Sequence, residues 1–422
     1  MSLIHANLTG VEVREGTEGD AVLGVVPGVV ARVGGVEEVS RVLAWANERG
    51  LKVVPCGTRS KLDRGAVPKG IGVLLDLSGM SGVVEHAAGD LTVTVQAGMR
   101  VRDLQGVLAG AGQFLAVDPP VAGTIGGLVA TGDSGALRLR YGGVRDLLLG
   151  VTFVRPDGVV SKGGGKVVKN VAGYDMPKLL TGSLGTLGVI VEATFRLYPL
   201  PAASGSVVAE VGSAADAGRL VRAVLDTTLV PVAIDYFSEG EGDRVLAVRF
   251  QSSLRSAREQ AERAAGLLEA AGGSATQPLV LDGDEEAALW ERFGGVVSTG
   301  EGDVLARLVS TVADLPGLVE RAQVEAERLG VALAVRAHMG HGHALLRWRE
   351  PGTGSGVALL RGLRREAEGR GCNLAVWRAP MGVRTEVDVW GDPGEGIGLM
   401  RRVKAQFDPR GTLNVGRFVG GI

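Results

Sequence analysis

Hydrophobic positions in the first hundred residues switch between two periods. Residues 29–33 form a short apolar run, and Val36, Val39, Leu43 and Ala46 then recur at helical spacing. Gly50 reads as the C-cap of that helix, and a second apolar run at 51–54 ends at Pro55. This is a β-α-β-like start that delivers the chain into Cys56, Gly57, Thr58, Arg59 and Ser60. Residues 91–97 alternate as LTVTVQA, the pattern of a strand with two unlike faces, and a helix is predicted at 101–109. From about residue 205 the pattern repeats itself. A strand (206–211), a helix (214–226), two strands (232–237, 244–250) and a helix (254–271) form the first set. A strand (304–312), a helix (315–329), two strands (331–338, 343–348), a helix (356–369) and a strand (373–377) form the second. Both sets resemble β-α-β-β-α-β units of the ferredoxin-like type, and together they predict one antiparallel sheet with helices on one face.

Composition adds one anomaly. A chain of 422 residues suggests two or three domains, and its 45% hydrophobic share is that of a folded protein. Glycine, at 67 residues, is more than double its usual share of about 7%. Sixteen of these lie between residues 123 and 188. A net charge of −2 predicts no nucleic-acid partner. Two cysteines, Cys56 and Cys372, give no disulfide framework, point to a reducing compartment and cannot ligate an ordinary iron–sulfur cluster. The N-terminal stretch is acidic and no run of 18 apolar residues occurs, so neither a signal peptide nor a transmembrane segment is expected. The expected location is cytoplasmic, with any association to the inner membrane face running through partners.

Three glycine-rich segments carry the candidate chemistry. Residues 55–60 put glycine and small hydroxyls at a strand end, where free amides suit a phosphate; an ordinary turn is the alternative. Pro119, Pro120, Val121, Ala122, Gly123, Thr124, Ile125, Gly126 and Gly127 lead to Ala130, Thr131, Gly132, Asp133, Ser134 and Gly135. Paired glycines there let backbone lie against a flat or anionic group, or pack helix on sheet. The third segment, 182–190, places Gly182, Gly185 and Gly188 three apart and ends in a strand. Neither a Rossmann fingerprint nor a Walker loop is present: Gly165 and Lys166 are followed by Val167.

Together, residues 51–62, 124–135, 141–146 and 182–190 resemble the FAD-binding domain of the vanillyl-alcohol oxidase / p-cresol methylhydroxylase (PCMH) superfamily. The runs 144–150 and 169–175 (KNVAGYD) narrow the likeness to the E subunit of bacterial glycolate oxidase, and residues 407–417 resemble that family's closing segment. The resemblance implies an α+β fold: a PCMH-type two-subdomain FAD-binding domain (1–203), a ferredoxin-like antiparallel-sheet cap (204–395) and a returning tail (396–422). It implies that Pro55, Cys56, Gly57, Thr58, Arg59 and Ser60 bind the FAD pyrophosphate through backbone amides. Pro120, Gly123, Thr124, Ile125, Gly126, Gly127, Thr131, Asp133, Ser134 and Gly135 would line the pyrophosphate and isoalloxazine. Gly185, Gly188, Val189 and Ile190 would hold the adenosine and ribityl side. Arg145 and Lys169 would place charge near phosphates or flavin, and Asn414 and Arg417 would bring the tail over the flavin. Covalent flavin in this superfamily often uses a histidine in the first loop. Arg59 stands there, and residues 87–337 contain no histidine, so dissociable FAD is expected. Val415 stands where a proline is usual.

Three of the five histidines, His338, His341 and His343, sit within six residues. The segment resembles the HxGDGNxH motif of FAD-linked hydroxyacid dehydrogenases, but His341 replaces the acid and Leu345 the last histidine. Gly340, His341 and Gly342 also read as a hairpin turn; in a strand, His341 and His343 would share a face. No metal is expected. His338, His341, His343 and Arg417 are the candidates for catalysis. The function implied is an FAD-binding subunit of a glycolate oxidase-like complex, oxidising glycolate or D-lactate to the 2-oxo acid, beside a related catalytic FAD subunit and an iron–sulfur subunit. A self-sufficient D-lactate-type dehydrogenase and a non-catalytic assembly subunit are the alternatives.

Overall fold

The computed structural model describes residues 8–166, 173–240, 242–272, 276–296, 298–350, 352 and 354–422. The chain divides into two compact units. One comprises Met1–Ser134, Gly142–Leu200 and Asp392–Ile422; the other comprises Gly135–Tyr141 and Pro201–Gly391.

The first unit holds two sheets. Strands β1 (Glu12–Glu15), β2 (Val29–Arg32), β3 (Val53–Cys56) and β4 (Val73–Asp76) form the first, in the order β1-β2-β4-β3. Helix α1 (Val36–Glu48) joins β2 to β3, and β4 slots between them, parallel to both. Val39, Val42, Leu43 and Ala46 form the buried stripe of α1. Glu37 and Glu38 sit in its first turn, where negative charge suits the helix dipole. Gly50, at φ 66°, turns the chain out of the helix.

The second sheet is antiparallel throughout. Its strands are β5 (Val83–Ala87), β6 (Thr92–Gln96), β8 (Leu148–Val154), β9 (Val160–Gly164) and β10 (Val189–Arg196), in the order β5-β6-β10-β8-β9. The short strand β7 (Gln113–Phe114) pairs with β11 (Tyr198–Pro199). Helices α2 (Val101–Ala109) and α3 (Ile125–Thr131) lie between β6 and β8 in sequence; the short α4 (Arg138–Tyr141) belongs to the other unit. One buried cluster joins Val53, Val73 and Leu75 of the first sheet to Val154, Val189 and Val191 of the second, with Leu413 from the tail.

The second unit is one eight-stranded antiparallel sheet. Strands β12 (Ala203–Glu210), β13 (Ala233–Glu239), β14 (Asp243–Ser252) and β15 (Leu279–Asp282) form one half. Strands β16 (Asp303–Val309), β17 (Ala334–His338), β18 (His343–Arg349) and β19 (Asn373–Arg378) form the other. The order β15-β12-β14-β13-β17-β18-β16-β19 is two ferredoxin-like units placed back to back at the β13–β17 pairing. Their helices are α7 (Ala214–Leu225), α8 (Leu254–Ala271), α10 (Leu315–Arg328) and α11 (Ser355–Glu368); the short α5 (Val144–Leu147) and α6 (Met176–Leu180) precede β8 and β10.

The expectation of helices on one face needs correcting. Tyr236 and Phe237 are consecutive on β13, so they point to opposite faces. Tyr236 Oη contacts Gln323 of α10, whereas Phe237 stacks on Phe293 at 4.8 Å between ring centroids. Phe293 belongs to α9 (Gly283–Gly295), which covers the second face over one half of the sheet. Sequence patterning missed both α9 and the preceding β15, an exposed edge strand whose burial does not alternate. It also missed α13 (Ile397–Phe407), which follows the short α12 (Met381–Glu386) and has no buried residue.

Two helical glycines have opposite environments, and this yields a test. At Gly266 of α8 a Cβ would meet nothing within 4 Å, whereas at Gly218 of α7 it would meet Pro316 at 2.6 Å. Gly266→Ala is expected to stabilise the protein by about 1 kcal/mol through helix propensity. Gly218→Val is expected to destabilise it by about 1–3 kcal/mol through overpacking. Urea unfolding of the two variants measures both signs.

Candidate FAD cleft

Strand β3 ends at Cys56, and residues 57–66 follow as successive turns and bends rather than as a helix. Among the described residues, the amides of Gly57, Thr58, Arg59 and Ser60 donate to no protein acceptor. Arg59 has a φ of 62°, the left-handed region that costs a non-glycine residue strain. Its guanidinium is anchored to Asp20 at 2.8 Å, and Asp20 also accepts two bonds of 2.7 Å from Arg14. The Arg14 hydrogen bond, with Arg59 and Thr17, holds the buried Asp20 carboxyl well below its usual range.

Facing the loop is the start of α3. Its N-cap, Thr124, accepts from the Gly127 amide at 3.3 Å. Residues 184–190 and the tail form the remaining wall. Asn414 donates to the Leu184 carbonyl at 2.6 Å, and Arg417 donates to the carbonyls of Leu62 and Arg64 at 2.6 and 2.7 Å.

Two cavities of about 500 and 440 Å³ lie between these walls. They share Pro55, Cys56, Gly57, Thr124, Gly127, Ala130 and Gly185. One continues along Thr58, Arg59, Ser60 and Lys61 to Asn414 and Arg417. The other is more apolar and runs along Leu77, Ala97, Gly126, Gly188, Val189 and Ile190. Its walls approach as closely as glycine permits: a Cβ at Gly57 would sit 2.5 Å from Thr124 Oγ1, and one at Gly188 would sit 2.6 Å from Phe153. A row of unpartnered amides opening onto a narrow, partly apolar cleft is a donor set that fits an anionic dinucleotide with a flat ring, as FAD is.

Most residues expected on this wall are found on it: 55–60, Thr124, Gly126, Gly127, Thr131, Gly185, Gly188, Val189, Ile190, Asn414 and Arg417. Others are elsewhere. Gly123 packs behind the wall against Ser60 and Lys61, and Ile125 is fully buried. Pro120 and Ser134 are half-buried and line neither cavity. Arg145 is exposed on α5, Gly135 falls in the second unit, and Lys169 lies outside the described residues. Asp133, expected on the lining, is instead fully buried between Lys61 and Arg64, at 2.7 and 2.6 Å. Burial would raise its pKa, but Arg64 and Lys61 hold it well below the usual range. The expectation for Arg417 as a catalytic group also changes, since its guanidinium ties the tail to the loop. Lys61, Leu62, Ala130, Leu184, Leu77 and Ala97 were not anticipated; for Lys61 the available signal was a cation directly following the glycine loop.

In the second unit, Asp235, His338 and His343 stand in register across β13, β17 and β18. The buried Asp235 accepts from His338 Nδ1 at 2.8 Å and from Arg336 Nε at 2.9 Å. His341 lies in the turn rather than in a strand, so it shares no strand face with His343. Its Nε2 is 3.2 Å from the Gly135 carbonyl, and its ring stacks on His338 at 5.1 Å. His343 Nδ1 is 3.3 Å from Arg307. Burial, then the neighbouring His338, pushes His341 down to about 3; burial and Arg307 push His343 down to about 2. Among the described residues no three His, Cys, Asp or Glu side chains are placed to hold one metal ion. Nor is any described helix long and apolar enough to cross a membrane.

Comparison with known proteins defines the class. Residues 27–164 match the family described as FAD binding domain, and residues 392–418 match FAD linked oxidases, C-terminal domain. The mitochondrial D-lactate dehydrogenase [cytochrome] of Arabidopsis thaliana is 27% identical, over 93% of this chain and 74% of its own. Glycolate oxidase subunit GlcD of Bacillus subtilis (strain 168) is 31% identical over 50% of this chain, a match that spans about half (46%) of the length of that relative. The solved structure of p-cresol methylhydroxylase with substrate bound superposes with a TM-score of 0.70 at 15% identity, covering 93% of this chain and 89% of that one. The chain is an FAD-linked oxidoreductase. It carries the FAD binding domain and the FAD-linked-oxidase C-terminal segment, on the fold that p-cresol methylhydroxylase shows.

Two outcomes are expected. Gly57→Val, which drives a side chain into Thr124, removes most of the FAD affinity; flavin fluorescence titration measures it, and stoichiometric FAD on the variant counts against the loop. In the folded state His341 and His343 titrate below the ordinary value of 6.5, so the unfolded state takes up their protons first. Their stabilising contribution is therefore full above pH 6.5 and declines as pH falls toward 3. Ring ¹⁵N shifts should show both rings neutral at pH 5.

Proposed function

We propose that this chain is the FAD-carrying subunit of a glycolate oxidase-like complex that oxidises glycolate or D-lactate to the 2-oxo acid. The coarser part of this reading, an FAD-dependent dehydrogenase of small 2-hydroxy acids, draws on the named activities of its relatives. Bound FAD supplies the electron acceptor for the substrate's Cα hydrogen. The protein's part is to hold and shield it. The amides of residues 57–60 bind the pyrophosphate, and Leu77, Ala97, Val189 and Ile190 keep water from the apolar cavity. Burial pushes the Cys56 thiol up to about 12, so it remains protonated at neutral pH. With arginine rather than histidine at position 59, this supports dissociable FAD.

The observation that carries the subunit reading is the closed histidine cluster. Asp235, the acid nearest to it, is occupied by Arg336 and His338, leaving no carboxylate there to balance a metal or orient one against a substrate carboxylate. The two cysteines cannot hold a cluster for onward electron transfer, which supports an iron–sulfur partner for that task. One observation favours the self-sufficient alternative. His338 Nε2 is buried without a partner while Nδ1 is oriented by Asp235, the arrangement of a general base. Similarity to a D-lactate dehydrogenase over 93% of this chain and 74% of that relative supports the same alternative.

The purified chain distinguishes these readings. A flavin spectrum without anaerobic bleaching by glycolate or D-lactate is expected, and addition of partner subunits should restore reduction. Bleaching of the isolated chain favours the self-sufficient dehydrogenase. Absence of flavin after FAD titration favours an assembly role. Acid precipitation should leave the yellow colour in the supernatant; flavin remaining with the protein overturns the dissociable assignment.

A further inference from the structure

The polar cavity contains a cation that no backbone-binding scheme requires. Lys61 follows the loop of unpartnered amides directly, and its side chain is only 6% exposed although it lines the cavity. Its Nζ lies 2.7 Å from Asp133 Oδ2 and meets no other acceptor among the described residues. An ammonium has three N–H donors, so a single carboxylate oxygen leaves it under-coordinated. Asp133 is shared with Arg64 at 2.6 Å, so its carboxylate is divided between two cations and cannot by itself saturate the Lys61 ammonium. The cavity lining contains Arg59 and Arg417 and no acidic side chain.

We infer that Lys61 is a direct ligand of the cofactor's pyrophosphate, and that Asp133 with Arg64 is the buried frame that positions its ammonium. Resting on the FAD reading, this assigns the pyrophosphate to the polar cavity, which residues 58–61 line, rather than to the apolar one. Asp133 then acts on the cofactor through Lys61. Burial, with Arg64 nearby, pulls the Lys61 pKa down, and Asp133 opposes that.

Three probes separate the contact from a purely structural role: FAD, ADP (pyrophosphate without flavin) and riboflavin (flavin without phosphate). Lys61→Met is expected to weaken FAD and ADP by roughly 10- to 150-fold, the span of one charge-assisted hydrogen bond, while riboflavin is unaffected. Lys61→Arg should recover part of the FAD affinity, and Asp133→Asn should lose part of it. Equal FAD affinity in Lys61→Met and the parent protein, or a matching loss for riboflavin, overturns the assignment. If Lys61→Met fails to fold, reductive methylation of the wild-type apoprotein replaces it. ADP should protect Lys61 and riboflavin should not; equal labelling with and without ADP overturns the inference. A wild-type chain that binds no FAD overturns the FAD reading and this inference together. Wild-type binding with an indifferent Lys61 overturns this inference alone.

Discussion

The first unit depends on a short pairing between its two ends. The Val53 amide donates to the Thr412 carbonyl at 2.8 Å, and the Asn414 amide donates back to the Val53 carbonyl at 2.9 Å. These bonds cap β3, which would otherwise be an open sheet edge. They also fix the register of everything that follows on the tail. Asn414 reaches the 184 turn, Arg417 reaches the 62–64 turn, and Leu413 enters the shared core. Lys404 secures the approach by donating to Thr186 O, Leu413 O and Asp408. Two walls of the cleft are thus tied to a single turn-rich segment.

Buried charge adds a second layer of constraint. Asp20, Asp133, Asp235 and Asp408 are all buried, and each has at least one basic partner: Arg14 and Arg59, Lys61 and Arg64, Arg336 and His338, and Lys404. Such sets contribute little net stability, but removing one partner strands the other in a low dielectric. Their value in the first unit is geometric. Asp20 holds Arg59 in its left-handed conformation, and Asp133 holds the turn that follows. The amides of 57–60 are therefore placed before any ligand arrives, which lowers the ordering cost of binding.

Much of this was legible in the sequence, for reasons that differ by element. Several elements of the second unit were readable because they bury mainly one face, as in Val207 and Ala209 of β12 or Leu318, Val319 and Ala322 of α10, whereas the central strands, buried on both faces, read as apolar runs. The unread elements lack that signal: β15 is an exposed edge, α13 buries nothing, and α9 covers a second face that one-sided logic did not anticipate. In the cleft, glycines marked the close approaches, and the family resemblance supplied the roles. The long-range ion pairs were invisible. Nothing local links Lys61 to Asp133 or Arg59 to Asp20, because those pairs are set by topology rather than by spacing.

The joining of Arg64 to Arg417 spans 353 positions of chain. During synthesis at about 5–20 residues per second, the 57–64 turn therefore waits roughly 20–70 s for its partner. The second unit, built from residues 135–141 and 201–391, has all its parts synthesised before the tail. The N-terminal sheets must persist meanwhile with β3 uncapped, as an exposed edge that invites wrong pairing.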